Sequence, residues 1–500
     1  MSWKSVWWVL FWAWVITSLY LPSLTTRFDF IDDGNLVYPS APMPLAARVQ
    51  VVWQKVVANY ENLGPFRPVL WAHWELAAEL FHANSSRWRL ARVLWAAVAT
   101  CAFLWLLLEL GIHPAAALPT AALAMWNPYR GEIWRSLTLS EGVAMPYAVM
   151  GLVCAVRAGR SARPWRWDVA GMLCVLAALG CKNTFAAVVP AQILLRVAPD
   201  GQSLRPAWGR HGLRAGMLAL TLLLPVVHFI VFRRSWHPGQ YPVPGPSREQ
   251  LGRMLYTIKG AAGADFIGPG LVCAAIALVL DARAAPRLHA VPSRCYELWV
   301  RYRATGTAGL ALMVFGVAIY LPINGVCRRY SIPAVWGVDL WIAALFSALA
   351  DARPTVWKRT SYALLYVGLL ALAVATLAQQ DKFAARAAVL WQALEFVEQQ
   401  APHGAELAWV EGRDLDAGEG IHFYWHLQAR RRSDLTVSVV DAQGHPLSRP
   451  ELPATQRAPS FLFTGSAVPL AGGNWVLLRE FTAFYWGRTH RHVCYLWKRQ

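Results

Sequence analysis

Apolar runs of membrane-spanning length recur through the first 380 residues, and they restrict the chain to an integral membrane protein. They lie at Val6–Leu21, Leu90–Leu110, Ile112–Trp126, Leu137–Val156, Trp167–Cys181, Thr184–Leu195, Leu213–Phe232, Phe266–Leu280, Thr305–Leu321, Ile332–Leu349 and Ser361–Leu377. A helix needs about 20 apolar residues to cross the hydrocarbon core, and fewer where the bilayer adapts, so about eleven crossings are expected. The stretch Trp167–Leu195 fits either a hairpin or one long tilted helix. With 56% hydrophobic and 15% charged residues, composition agrees. The expected fold class is an α-helical integral membrane protein with a long first outer loop and a small C-terminal α/β outer domain. The boundaries are 1–380 for the spans, with the outer loop at 23–89, and 381–500 for the domain.

Charge sets the orientation. The formal net charge is +18, but the arginines sit in loops between spans rather than on one face. They read as topology determinants and anionic-lipid contacts, not as a nucleic-acid surface. With the N-terminus cytoplasmic, the loops Arg157–Arg166, Arg196–Arg214, Arg283–Arg303 and Arg353–Arg359 face inward, as the positive-inside rule requires. The first span lacks a small-residue cleavage site and is taken as a retained helix. The expected location is the inner (plasma) membrane, multi-pass, with the first loop and the C-terminal residues outside.

Cations left on the outer face are then informative. Arg67, Lys182, Arg233, Arg234, Arg328 and Arg329 lie in or beside outward loops. Guanidinium and ammonium groups there suit a phosphate, or equally a lipid headgroup. In the first outer loop, Leu45, Val49, Val52, Val56 and Val57 recur at helical spacing among polar residues, which predicts an amphipathic helix on the membrane. The turn Gly64-Pro65-Phe66-Arg67-Pro68 then starts a second helix through Trp71, Trp74 and Phe81.

Acidic residues supply the candidate chemistry. Asp32 and Asp33 follow the first span in Phe28-Asp29-Phe30-Ile31-Asp32-Asp33, where carboxylates are costly to desolvate. Glu141 falls just inside the apolar run after Leu137, whereas Glu132 lies in a polar loop beside Arg135. An exposed turn explains the acid pair without function, and a salt bridge to Arg135 explains Glu132.

The order helix, Phe-x-x-Asp-Asp, amphipathic stretch, Phe-Arg-Pro and aromatic helix resembles the first outer loop of the glycosyltransferase C (GT-C) superfamily. It looks most like the branch related to protein O-mannosyltransferases, over residues 28–95, with the multi-span layout agreeing to about residue 380. Relatives often carry His-x-x-Asn-x-x-x-His entering the second span, where this chain reads Trp88-Arg89-Leu90-Ala91-Arg92-Val93, and no tetratricopeptide repeats follow the spans. The resemblance implies a membrane glycosyltransferase moving a sugar from a polyprenyl-phosphate donor to a hydroxyl acceptor on the outer face, with inversion. It implies Asp32 as general base, Asp33 as its helper and Glu141 as the second acidic residue, orienting acceptor or metal. Lys182 resembles the superfamily's lysine near the donor phosphate. Arg328-Arg329-Tyr330-Ser331-Ile332-Pro333 resembles its Arg-Tyr-x-x-Pro signature. With Arg67, these make the expected donor-phosphate set. A divalent metal is compatible with the acid pair, but no cofactor is assigned.

The remaining features carry less. The Pro- and Gly-rich stretch from Arg233 to Gly263 is expected to be an outer loop able to close over substrate. Beyond Gln379, Ala384–Gln400 reads as a helix, and Glu406–Val410, Leu435–Val440 and Trp475–Glu480 as strands. His422 and His426 have metal-ligand spacing but are surrounded by aromatics, which favours a structural role. Cys327 and Cys494 can both face the oxidising side and pair. The competing class is a non-enzymatic transporter or lipid-glycan flippase, which predicts charges deep within several spans or two repeated halves. Sugar and acceptor, whether glycan, lipid or protein, stay open.

Overall fold

The computed structural model describes residues 3–30, 33, 44–63, 66–82, 84–198, 204–222, 248–283, 290–319, 331–412, 415–430, 432–447, 452, 459–470, 473–486 and 488–500. Helices cover the described parts of all eleven predicted apolar runs. They are α1 (Trp3–Thr17, continued by a 3-10 turn at Ser18–Thr25), α4 (Ser85–Glu109), α5 (Pro114–Met125), α7 (Ser140–Arg160), α8 (Pro164–Cys181), α9 (Val188–Val197), α10 (Leu204–Ala219), α12 (Ala264–Arg283), α13 (Ala290–Ala318), α14 (Ile332–Asp351) and α15 (Val356–Gln400). Among the described residues, six are long and apolar enough to cross a membrane: those beginning at Trp3, Ser85, Ser140, Ala264, Ile332 and Val356. The remaining helices ahead of α15 are α2 (Leu45–Leu63), α3 (Pro68–Phe81), α6 (Pro128–Arg135) and α11 (Arg248–Ala261).

Local chemistry explains the breaks. Proline opens α3, α5, α6 and α8, where its missing N–H costs nothing. Asn84, Asn127 and Thr355 cap α4, α6 and α15 by accepting from backbone N–H groups. The run Trp167–Leu195 is two helices, because Lys182 adopts an extended conformation (φ −153°, ψ 115°) between them. Helices α13 and α14 cross at Gly309 and Gly337. A Cβ on Gly337 would lie 2.2 Å from the Gly309 carbonyl oxygen, so a larger side chain there must push the helices apart.

Two expectations need correction. Within Arg233–Gly263, expected to be loop, residues 248–261 form α11, which is amphipathic and buries Met254 and Ile258. The helices expected separately at Ser361–Leu377 and Ala384–Gln400 are one 45-residue helix, about 68 Å long. Gln379-Gln380-Asp381-Lys382 is polar but contains no helix breaker, so it marks the end of the apolar stretch and not of the helix.

Helix α15 therefore joins two cores. Leu365, Leu369 and Leu372 pack in the helical bundle, while Leu390, Leu394 and Val397 pack against the C-terminal sheet. That sheet has the order β2-β1-β3-β5-β4, from β1 (Glu406–Val410), β2 (Thr436–Val440), β3 (Phe461–Thr464), β4 (Trp475–Tyr485) and β5 (His490–Arg499). Strand β1 is parallel to β2 and β3, and the β3–β5 and β5–β4 pairs are antiparallel. Helix α16 (Ala417–Ala429) connects β1 to β2 and carries a capping box at Asp416 and Glu419. Phe28 and Phe30, just before the acid pair, are buried in this second core.

Candidate active site

The site forms where α1 ends, around the first turns of α4. Asn84 fixes the start of α4 by accepting from the Arg87 N–H at 3.0 Å. Arg89 and Arg92, three residues apart, then share one face. Both are buried, so each must find acceptors.

Arg89 holds the first acidic segment. Its Nε donates to the Thr26 carbonyl at 2.8 Å, its Nη2 to the Arg27 carbonyl at 2.6 Å and its Nη1 to the Arg135 carbonyl at 3.0 Å. The Asp33 carboxylate lies 4.0 Å from the same guanidinium and accepts from the Asp29 N–H at 2.9 Å. Arg92 holds the second. Its Nη2 donates to the carbonyls of Ser136, Leu137 and Leu139 at 2.8, 2.7 and 3.1 Å, the segment that delivers Glu141 to the start of α7. Gly142 makes room for it: a Cβ there would stand 2.6 Å from Arg92 Nη1. The Arg92 charge acts on both Asp33 and Glu141.

Lys182 completes the chain of charges. Its Nζ lies 3.0 Å from Glu141 Oε1, with both residues buried. Arg67 stands close by, because α3 packs on the end of α8: a Cβ on Gly180 would lie 2.6 Å from Val69, and Arg67 acts electrostatically on Cys181. Its Nε is buried without a hydrogen-bond partner among the described residues. Asp33, Glu141, Lys182 and Arg67 are thus brought into one region. Asp32, Arg233, Arg234, Arg328, Arg329, Tyr330 and Cys327 lie outside the described residues.

Two further groups edge the site. Burial pulls Arg135 down to about 10, opposed by Glu132 and Asp29, and its guanidinium sits 3.2 Å from the Phe383 ring centroid. Burial, aided by the Arg92 charge, pulls His73 down to about 4, so it is neutral at physiological pH. His73 and Arg92 share a cleft of about 150 Å³ walled by Leu76, Leu80, Trp88 and Trp95. Arg89, Arg92, Arg135 and His73 were not identified from the sequence as site residues. Paired arginines at the start of an otherwise apolar span were the available signal, since cations there need acceptors or an anion. Glu132 acts on Arg135 as expected, but from within helix α6 rather than from a loop, because Asn127 and Pro128 start a helix there, while Glu141 takes the buried place.

Elsewhere, His422 and His426 sit on α16 against aromatics; His426 is 4.8 Å from Phe30 and 5.0 Å from Trp391 by ring centroids. Among the described residues no group of three His, Cys, Asp or Glu side chains is placed to hold a metal.

No protein-family model and no curated protein sequence matches the chain. Solved structures do. ArnT from Cupriavidus metallidurans, bound to undecaprenyl phosphate, aligns over 98% of this chain and 98% of its own at 14% identity, with a TM-score of 0.51. Its apo form covers 99% of this chain and 98% of its own, with the same identity and TM-score. The oligosaccharyltransferase AglB from Archaeoglobus fulgidus, in complex with an inhibitory peptide and a dolichol phosphate, covers 87% of this chain and 65% of its own at 12% identity, with a TM-score of 0.43. The chain therefore shares its fold with ArnT over nearly its whole length, spans and C-terminal domain included.

Proposed function

We propose that the chain is a membrane glycosyltransferase that moves a sugar from a polyprenyl-phosphate donor to a hydroxyl acceptor at the outer face of the inner membrane. The observation that carries this reading is the charge chain Asp33–Arg89–Arg92–Glu141–Lys182, at the mouth of the first helix in a fold shared with ArnT.

Asp32 takes the proton of the acceptor hydroxyl as its oxygen attacks the anomeric carbon. The bond from that carbon to the phosphate oxygen breaks on the opposite face, so configuration inverts and polyprenyl phosphate leaves with the electron pair. A positioned base contributes about 10²–10⁴ in rate. The leaving group is already a stable anion and needs cations, not an acid. Lys182, Arg67, Arg328 and Arg329 supply them, with Tyr330 packed beneath. Glu141 pairs with Lys182 in its buried position until a donor phosphate shares the ammonium. Asp33, the neighbour of Asp32 in sequence and its helper, is tied to Arg89 and to the Asp29 N–H. The cleft beside Arg92, apolar apart from His73 and that guanidinium, suits an isoprenoid chain leading to a charged head. Asp32 and Asp33 are the residues that would hold a divalent metal, as ligands in place of the base role.

Membranes containing the protein, supplied with radiolabelled polyprenyl-phosphate sugars, should move label from lipid to an acceptor fraction that membranes lacking the protein leave unlabelled. Label carried across the bilayer but still on the lipid would instead establish the flippase class.

A further inference from the structure

The hairpin β4–β5 ends directly above the lipid-exposed stripe of α15. Among the exposed apolar residues of that helix, Tyr366, Leu370, Val374 and Leu377 form one stripe, spaced by four, four and three. One more step of four reaches Asp381, which is exposed and whose carboxylate accepts from the Trp486 N–H at the hairpin tip. Asp381 therefore lies on the same face, about 6 Å along the helix axis beyond Leu377. The opposite side of this turn, Gln380 and Phe383, lines the small polar cavity with Asp29, Arg89 and Arg135. The tip thus overhangs lipid at the height of the candidate active site.

Its surface has matching chemistry. Phe484 and Trp486 are 56% and 42% exposed, although both are large apolar residues on an extramembrane domain. Arg488, His490 and Arg491 are exposed around them; the acids nearby are Glu480, 3.8 Å from Arg491, and Asp381, which is bonded to the Trp486 N–H. Trp486 and Arg488 both hold positive φ, 56° and 69°, a left-handed backbone disfavoured for bulky residues. An aromatic, basic tip just outside the hydrocarbon edge has the composition of interfacial anchors.

We propose that the tip of the β4–β5 hairpin, residues 484–486 and 488–491, seats in the headgroup layer of an anionic membrane surface. Phe484 and Trp486 enter the interface, and Arg488 and Arg491 contact lipid phosphates. Together with the Asp381 bond, this fixes the height of the C-terminal domain over the bilayer. The reading depends on α15 crossing the membrane and not on the glycosyl-transfer chemistry.

The test places a benzophenone amino acid in the full chain at one position at a time. The protein is reconstituted into vesicles of three parts phosphatidylethanolamine to one part phosphatidylglycerol, and adducts are read by mass spectrometry. Position 377 reports lipid contact within the span. Position 476 is 47% exposed and about 26 Å from 484 along the strand, on the other face of the sheet because the bulge between Leu477 and Arg479 reverses the alternation. Several-fold more phospholipid adduct at 484 than at 476, approaching the yield at 377, is expected. Equal yields at 484 and 476, or adducts at 484 to protein alone, overturn the proposal. R488E combined with R491E should lower the phosphatidylglycerol share of the 484 adducts several-fold; an unchanged share removes the anionic headgroups from it.

Discussion

The Lys182 ammonium lies 3.0 Å from the Glu141 carboxylate, and both groups are withdrawn from water. Each partner offsets the other's desolvation, so removing one leaves an uncompensated charge. K182M should destabilise the protein by about 3–5 kcal/mol, while K182M with E141Q should recover most of that loss. Thermal unfolding in detergent measures both. Glycosyl transfer should remain low in the recovered double variant, which separates the structural cost from the loss of the donor-phosphate cation.

Arg92 serves three carbonyls through Nη2 while its Nη1 rests against Gly142, and the single nitrogen of a lysine cannot occupy both places. R92K should lower kcat by at least about tenfold, equivalent to about 1.4 kcal/mol of misplacement at Glu141. G142A should act in the same direction, because the new Cβ displaces the Arg92 guanidinium. Steady-state transfer assays on both variants check this. Wild-type kcat in either would deny that Arg92 positions the second acidic residue.

The C-terminal domain grips the acidic loop through Phe30, which is fully buried 5.4 Å from Trp391 and 6.0 Å from Phe423 by ring centroids. Trp391 Nε1 also donates to the Phe28 carbonyl at 2.9 Å. F30A should cost about 3–5 kcal/mol by opening a cavity. F30L should fold with a smaller loss yet transfer sugar more slowly than wild type, since Asp32 follows two residues later. Activity and unfolding midpoints measured together distinguish the two effects.

Burial lowers His422 to about 4 and His426 to about 3, each from an ordinary value of 6.5. The folded state resists protons that the unfolded chain accepts, so this stability is complete above about pH 6.5 and is lost as pH falls toward 4. Each histidine contributes a slope of about 1.4 kcal/mol per pH unit within that window. Unfolding midpoints from pH 7.5 to 4.5 should fall, and fall less steeply in H422F. A pH-independent midpoint would show both rings to be accessible to protons in the fold.

Much of this architecture was legible because hydrocarbon thickness and helix rise leave few solutions. The apolar runs at Leu90, Ile332 and Ser361 could become little else than α4, α14 and α15. The second and third helices followed from spacing and from Pro68. The Glu141 assignment rested on a carboxylate inside an apolar run, and its burial beside Lys182 is the pairing that such a position demands. What could not be read is tertiary. Phe461–Thr464 is a short apolar run without alternation, and β5 is hidden in a basic tail; each becomes a strand only once its neighbours are present. Arg89 and Arg92 gain their meaning from carbonyls at Thr26 and at Ser136–Leu139, distant in sequence and brought close only by the packing of α4 against α6 and α7.

The most direct test compares D32N with wild type for transfer of radiolabelled sugar from a polyprenyl-phosphate donor in membranes. The account predicts a drop of about 10²–10⁴ in kcat with donor binding retained, because the amide cannot take the acceptor's proton. Equal incorporation by the two proteins would contradict it, and would remove the acid pair at the mouth of the first helix from the chemistry.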